Sequence, residues 1–477
     1  MLEEKFLIGN EWRQPETTAQ FTVTNASTGE QLGTIPEAGT ADIDAAVASA
    51  RAAFDGGEWS GMAPADRAKV MRRFAEELKA RSAESAEAVS TQNGMPIALS
   101  SMVEGDQAPG LLEYYAGLAD DMVVRESRPS QAGRETLVER HPVGVVAAVV
   151  PWNFPVNLTL AKIGPAMAAG CTMVIKPSPG TVLDSYVMAE AALAAGVPAG
   201  VLNWVPADRE VGAYLVEHPG VDKVAFTGSS RAGRQIAARC GELLRPVTLE
   251  LGGKSASIIL EDADLEAFVQ GMPLTSLLNN GQTCYLGTRI LAPRSRYGEV
   301  VDAVAGFVGS LKVGNALDPE THIGPMASEE HRERVEQYIS IGKEEARLVV
   351  GGGRPAGADD GWFVEPTVFA DVDNHATIAR EEIFGPVLSI IGYDEEDDAI
   401  ALANDSDFGL GGSVWSADSD HAVEVAGKVQ SGTVGVNGYT ISIGSPFGGI
   451  KSSGIGREFG PEALLSYQQF KSIYVMA

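Results

Sequence analysis

Hydrophobic residues are unevenly spread along the chain, and their spacing predicts its elements. VGVVAAVV (143–150) is an unbroken apolar run rich in β-branched residues, the pattern of a strand covered on both faces. A helical stretch over 157–169 follows, then TMVIK (172–176) as a second short strand. The pattern continues with a helix over 184–195, the strand VLNWV (201–205), a helix over 210–217, the strand KVAFTG (223–228) and a helix over 230–243. Strands alternating with helices in this way predict a parallel, doubly wound sheet. Ligands of such sheets bind beyond the carboxyl ends of the strands. Asn153, Lys176 and Gly228 each fall at or just past such an end, which marks one edge of this sheet as a site.

From about residue 252 to 430 a second mixed pattern appears, with ASIIL, a helix near 297–311 and RLVVGG, and it predicts another α/β unit. Two segments lie outside both. VVRESRPSQAGRETLVER (123–140) sets turn residues between two strand-like arms and reads as a protruding hairpin, and SYQQFKSIYV (466–475) also reads as extended. An isolated hairpin is marginal in water, so this arm is expected to pair, with another subunit as one candidate. A chain of 477 residues is too long for one simple core, so two or three domains are expected.

Charge narrows the partners. Lys plus Arg is 36 and Asp plus Glu is 64, a net charge of −28, which repels nucleic acid and anionic membrane. The longest strongly apolar run, 143–150, is far short of the 18 or so residues of a membrane helix. The start, MLEEKFLIGNEW, lacks the basic and apolar regions of a signal peptide. Cys171, Cys240 and Cys284 form no C-x-x-C pair, and their odd number argues against a disulfide framework. None of the six histidines sits in H-E-x-x-H, so no metal site is expected. A soluble, cytoplasmic protein follows from these features as an expectation.

Four elements could carry chemistry. Cys284, in NNGQTCYLG, sits in a polar, Gly-bearing loop that suits an accessible nucleophile, whereas Cys171 and Cys240 read as small buried hydrophobes. Glu250, in VTLELGGK, ends an apolar strand, an odd place for a solvated charge and a good one for a general base; the bland alternative is a salt-bridged strand end. Asn153, in PWNFP, is flanked by prolines that fix its backbone, so its amide could serve a developing oxyanion. FTGSSRAG (226–233) turns from strand to helix through Gly228 and Gly233, which would admit a diphosphate at a helix N-terminus, although it is neither G-x-G-x-x-G nor a P-loop.

PWNFP, VIKPS, FTGSS, LELGGK, GQTC, EEIFGP and FGGIKSSGIGRE stand here in the order and approximate spacing of the NAD(P)-dependent aldehyde dehydrogenase superfamily, which the chain resembles from GNEW to its last strand. The resemblance implies an α/β fold with a Rossmann-type dinucleotide-binding domain (1–122 and 141–251), a second α/β catalytic domain (252–440) and a β oligomerisation arm (123–140 and 460–477). It implies that Cys284 attacks the aldehyde, that Asn153 stabilises the oxyanion, that Glu250 activates the hydrolytic water and that Glu458 relays protons. The implied cofactor contacts are Val150, Pro151, Trp152, Lys176, Ser178, Pro179, Gly228, Ser229, Gly233, Leu251, Glu382 and Phe384. Many NAD-preferring members carry a glutamate where this chain has Pro179, so NAD is expected and NADP stays open. Phe154, Tyr285, Ile441 and Phe447 line the substrate pocket by the same analogy, which favours an apolar aliphatic, terpenoid or aromatic aldehyde over a charged semialdehyde.

Other readings are weaker. An acyl-CoA-forming variant of the family generally lacks the base that Glu250 supplies. A thiol hydrolase would need a histidine partner for Cys284, a serine hydrolase would need G-x-S-x-G, and neither is present. A binding protein that merely kept the fold would be expected to have lost one of Cys284, Glu250 and Asn153. A homodimer or homotetramer is implied.

Overall fold

The computed structural model describes residues 5–131, 133–358 and 360–476. The first four residues, Ala132 in the turn of the expected hairpin and Ala477 at the end of the expected arm lie outside the described residues.

The apolar runs become the centre of an eight-stranded sheet. Its order is Glu11–Arg13, Phe6–Ile8, Leu202–Trp204, Thr172–Lys176, Val145–Val149, Lys223–Thr227, Val247–Glu250 and Gly454–Ile455. The five strands from Leu202–Trp204 to Val247–Glu250 are parallel, and an antiparallel strand closes each side. Helices Pro155–Ala169, Leu183–Ala194, Arg209–Glu217 and Ser230–Glu242 alternate with them, as the sequence predicts to within two residues at each end. Burial on both faces explains why these strands read as continuous apolar runs.

The chain runs outward from Val145–Val149 to Thr172–Lys176 and Leu202–Trp204, then crosses back to place Lys223–Thr227 on the other side of Val145–Val149. That reversal opens a crevice beyond the carboxyl ends of the two central strands, where ligands of such sheets bind. PWNFP leaves one of these ends and FTGSS the other.

A second, seven-stranded sheet runs Arg347–Val350, Thr367–Ala370, Val387–Tyr393, Arg289–Pro293, Ala256–Ile259, Gly412–Trp415 and Gly435–Val436. All its pairs are parallel except the first. The loops that enter its central strands carry GQTC and EEIFGP, and LELGGK links the two sheets. The carboxyl edge of one sheet thus meets the amino edge of the other across one cleft.

Arg125–Pro129 and Glu135–Pro142 form the expected hairpin, and the tail strand Gln468–Val475 pairs antiparallel with the whole length of Glu135–Pro142. The two segments outside the main sheets are therefore partners of each other within one chain. No helix among the described residues is long and apolar enough to cross a membrane.

Candidate active site

Cys284 is the one cysteine of the three that is not fully buried. Its loop is shaped by a 3-10 turn, Leu278–Gly281, in which Asn279 (φ 50°) and Asn280 (φ 61°) adopt left-handed backbone. Asparagine tolerates that region because its short amide bonds locally. Here the amides reach further. Asn280 Nδ2 donates to the Gly94 and Pro325 carbonyls while its Oδ1 accepts from Gly324 N, and Gln282 Oε1 accepts from Ala327 N. The loop is held by side-chain amides rather than by a sheet.

The same network fixes Asn153. Its carbonyl accepts from Asn93 Nδ2 at 3.1 Å and Asn279 Nδ2 at 2.9 Å, and its own Nδ2 donates to the Gln282 carbonyl at 3.0 Å. One N–H of the Asn153 amide is thereby spent on the cysteine loop, and an amide carries two. The anchor, the Gln282 carbonyl, lies two residues from Cys284.

Gly252 and Gly253 let LELGGK approach both neighbouring loops. A Cβ on Gly253 would stand 2.3 Å from the Cys284 carbonyl oxygen, and one on Gly252 would meet Glu382 Oε2 at 2.2 Å. Gly253 N donates to Glu382 Oε1 at 2.9 Å. Gly253→Ala is expected to push the cysteine loop away, costing about 1–3 kcal/mol of stability and about 10²-fold in turnover. A melting curve with a steady-state rate per titrated thiol checks this; an unchanged rate would show that the close approach is dispensable.

Burial pushes the Cys284 thiol up, and the Glu382 and Glu250 carboxylates push it further the same way. Burial likewise raises Glu250 well above the ordinary carboxylate range, with Glu458 adding to it and Lys162 opposing it. Both Glu250 carboxyl oxygens are buried without a hydrogen-bond partner, so the salt-bridged strand end is not what the structure holds. Gly448 lies over the carboxyl, since a Cβ there would fall 2.4 Å from Glu250 Oε1. Nearby, Lys162 Nζ donates to Glu458 Oε1 and to Thr227 Oγ1, both at 2.6 Å, and Thr227 is the register partner of Glu250. Glu458 Oε2 is left unpartnered.

The expected cofactor residues lie along the crevice. Lys176 is buried, its ammonium held by the Pro177 and Ala207 carbonyls at 3.0 and 2.7 Å, and burial lowers its pKa to about 8. Ser178 and Pro179 follow it toward the surface. Val150 N bonds the Lys176 carbonyl, and Pro151 and Trp152 turn the chain away. Ser229 caps helix Ser230–Glu242 through a bond from Ala232 N and is itself exposed, so the helix N-terminus opens to the crevice. At Gly233 the space a Cβ would fill holds the Leu251 side chain at 2.5 Å. Gly228 is similarly covered, by the Phe226 ring at 2.6 Å. These glycines let the helix and turn pack closely on Leu251 and Phe226.

Opposite them, Trp152 meets the Phe384 ring edge-on at 5.4 Å and the His331 ring at 5.2 Å. Phe384 has left-handed backbone (φ 64°), strain of the kind that persists where neighbours over-determine it. Its carbonyl is 2.7 Å from His331 Nε2. Burial lowers His331 to about 4, so the ring is neutral and the carbonyl partner places the proton on Nε2. Burial raises Glu382 to about 7.

On the other side of Cys284, Tyr285 stacks on Tyr439 at 4.5 Å and meets Phe447 edge-on at 6.3 Å, and Phe154 and Phe447 belong to one apolar cluster with Tyr285 packed on it. Ile441 departs from this group, standing at the surface with 36% exposure.

Residues not singled out from the sequence are Asn93, Asn279, Asn280, Gln282, His331, Lys162 and Tyr439. Lys162 left a trace, as the lone charge in the apolar stretch LTLAKIGPAM, and so did the paired asparagines before GQTC.

A partly buried thiol thus lies within electrostatic reach of a desolvated carboxyl, on a loop anchored by the Asn153 amide. The match with the Aldehyde dehydrogenase family extends over residues 12–473. The chain belongs to that family. This aldehyde dehydrogenase is 58% identical to geranial dehydrogenase of Castellaniella defragrans over 473 residues, 99% of each chain. It superposes on an aldehyde dehydrogenase of Mycobacterium tuberculosis complexed with NAD+ with a TM-score of 0.97 and 48% identity, covering 100% of this chain and 98% of that one. Aldehyde dehydrogenase C of Pseudomonas syringae, in a mutant form complexed with NAD+ and octanal, gives a TM-score of 0.96 at 38% identity, covering 99% and 97%. The enzyme is an NAD(P)-dependent oxidoreductase that converts an aldehyde to the carboxylic acid, and NAD is its supported cofactor. The residues fit a dinucleotide: the N-terminus of helix Ser230–Glu242 would take the diphosphate, and the paired rings of Trp152 and Phe384 would flank a planar group.

Proposed function

We propose that this aldehyde dehydrogenase acts on an apolar, open-chain aldehyde of terpenoid type, with Cys284 as nucleophile and Glu250 as base. The observation that carries the reading is the desolvated Glu250 carboxyl, both oxygens free of protein partners, held among Cys284, Glu458 and Lys162. The Cys284 sulfur bonds to the carbonyl carbon as its proton passes to water, the carbonyl π pair moves onto oxygen, and the new oxyanion is met by the Asn153 amide and the Cys284 N–H. The bound dinucleotide supplies the hydride acceptor. Loss of the hydride converts the thiohemiacetal to a thioester on Cys284. Glu250 then takes a proton from water as the water attacks, the carbon–sulfur bond breaks, and the acid leaves with the thiol restored. Glu458, ion-paired with buried Lys162, is placed to pass that proton on.

Two observations support the substrate class. The wall beside Cys284 is built from Phe154, Tyr285, Tyr439 and Phe447, and the 58% identical relative carries the name geranial dehydrogenase. Lys176, Ser178, Ser229, Glu382 and the rings of Trp152 and Phe384 take the cofactor, while Val150, Pro151, Gly228 and Leu251 shape its crevice. Pro179 stands where many NAD-preferring members carry a glutamate, and the carboxylates of Asp208 and Glu37 act on Lys176 instead, so NAD is the expected acceptor with NADP left to the assay below.

Residues 1–122 and 141–251 serve as the dinucleotide-binding domain, 252–440 as the catalytic domain, and 123–140 with 460–477 as an arm. Phe470 and Tyr474 on the tail strand are 57% and 72% exposed, which suits burial in a homodimer or homotetramer. A cytoplasmic enzyme is consistent with its charge and free thiols.

Nicotinamide absorbance with purified enzyme, NAD or NADP and a panel of aldehydes tests this. Geranial-like and medium-chain aldehydes are expected to exceed charged semialdehydes in kcat/KM by at least about tenfold, as loss of a buried apolar contact of 1–3 kcal/mol allows. Faster turnover of a dicarboxylic semialdehyde would overturn the substrate class, and acid formed only with coenzyme A would overturn the hydrolytic step.

A further inference from the structure

The helix that follows Asn153 is capped from outside itself. Helix Pro155–Ala169 begins at Phe154 (φ −131°, ψ 69°), and no side chain at its cap accepts the first N–H groups. A helix start leaves such donors without intrahelical partners, and Pro155 has none to offer, so the need falls on Val156 and Asn157. Glu104 meets it from 52 residues upstream: its Oε2 accepts from Val156 N at 2.8 Å and from Asn157 N at 3.4 Å. Glu104 is buried, 1% exposed, and its other oxygen has no partner, so these two N–H groups are the bonds its carboxyl makes. Burial raises the Glu104 carboxyl to about 8; the Val156 and Asn157 N–H bonds oppose that and Asp184 adds to it.

The local backbone is built to deliver it. Ile97–Ser100 and Pro109–Asp120 are α-helical, but Ser101–Gln107 between them winds as a π-helix. Such turns are rare and collect at functional sites. Gly105 pins this one, because a Cβ there would lie 2.8 Å from the Ser82 carbonyl oxygen. The turn packs against the first residues of the very helix whose entry carries Asn153.

We propose that Glu104 is a positioning residue for the oxyanion site, anchoring the first turn of helix Pro155–Ala169 so that the Asn153 amide keeps its free N–H directed at the oxygen formed on Cys284. The inference rests on Asn153 serving as that donor. Its reach is short: Val156 lies three residues from Asn153, and a misplacement of about 1 Å in a reacting group can cost about 10²-fold.

A double-mutant cycle on the whole enzyme tests it. Glu104→Ala is expected to lower kcat about 10- to 100-fold while the Kd for NAD stays within about twofold. Glu104→Gln, whose amide oxygen still accepts from Val156 N, should recover most of the rate. In an Asn153→Ala background, adding Glu104→Ala should change kcat by less than about threefold, since the group it positions is gone. An equal loss in both backgrounds, or a lower melting temperature with kcat per folded site unchanged, would overturn the proposal. Asn153→Ala alone at wild-type rate would instead overturn the oxyanion reading. Should Glu104→Ala fail to fold, Glu104→Asp replaces it, because the shorter carboxylate retracts from Val156; a rate equal to that of the wild type then counts against the proposal.

Discussion

Replacing Cys284 by alanine is expected to abolish NADH formation, by at least about 10⁴-fold, while dinucleotide binding persists. The size follows from covalent catalysis. Without the sulfur there is no thiohemiacetal to give up a hydride, and the Asn153 amide has no developing charge to meet. Binding should survive because Lys176, Ser229 and the Trp152–Phe384 wall belong to other segments. Stopped-flow absorbance for the burst and fluorescence titration for NAD affinity read the two effects apart. Residual turnover within a factor of ten of the parent would remove Cys284 from the mechanism. The thiol raised by burial and by the carboxylates of Glu382 and Glu250 adds a second expectation. Alkylation of the resting enzyme should be slow at neutral pH and accelerate as pH rises, because only the thiolate reacts.

Glu250→Gln should leave the first half of the reaction and stall the second. A stoichiometric burst of NADH followed by a steady state about 10²–10⁴-fold slower is the expected trace, with the acyl group visible as added mass on Cys284. The glutamine keeps the shape of a buried side chain but cannot take a proton from water. The pH profile tests the same group. Glu250 is held well above the ordinary carboxylate range by burial and by Glu458, so its basic form is populated only as pH rises through that elevated value. Steady-state turnover should therefore climb with pH in the parent enzyme, and that limb should vanish in Glu250→Gln. An unchanged steady-state rate in the variant would pass the role of base to another group, with Glu458, which acts on the same site, the next candidate.

How much of this was legible in the chain depends on the range of the interaction. The strand–helix alternation from 145 to 242 follows from residue patterns a few positions long, so it could be read directly and was right to within two residues. The catalytic groups were legible as residue types in motifs: a cysteine in a glycine-bearing loop, a glutamate ending an apolar strand, an asparagine between prolines.

What surrounds them was not. Asn153 is fixed by Asn93, Asn279 and Gln282, which lie up to 129 residues away, and no local pattern reports a bond of that span. Gly233 reads as a place where a diphosphate can come close because glycine frees backbone space; only the packed molecule shows that Leu251 fills the space on its Cβ side. Ile441 is expected to line the pocket by analogy with the family; that it stands 36% exposed is visible only in the packed molecule. The chain by itself thus determines the sheet and marks Cys284, Glu250 and Asn153 as the candidates for nucleophile, base and amide donor, because local periodicity and side-chain chemistry are written in short segments. Only the tertiary structure decides that Glu250 is stripped of partners and that Glu104 reaches the helix beyond Asn153. Desolvation and capping at a distance are properties of many segments packed together, and no single segment contains them.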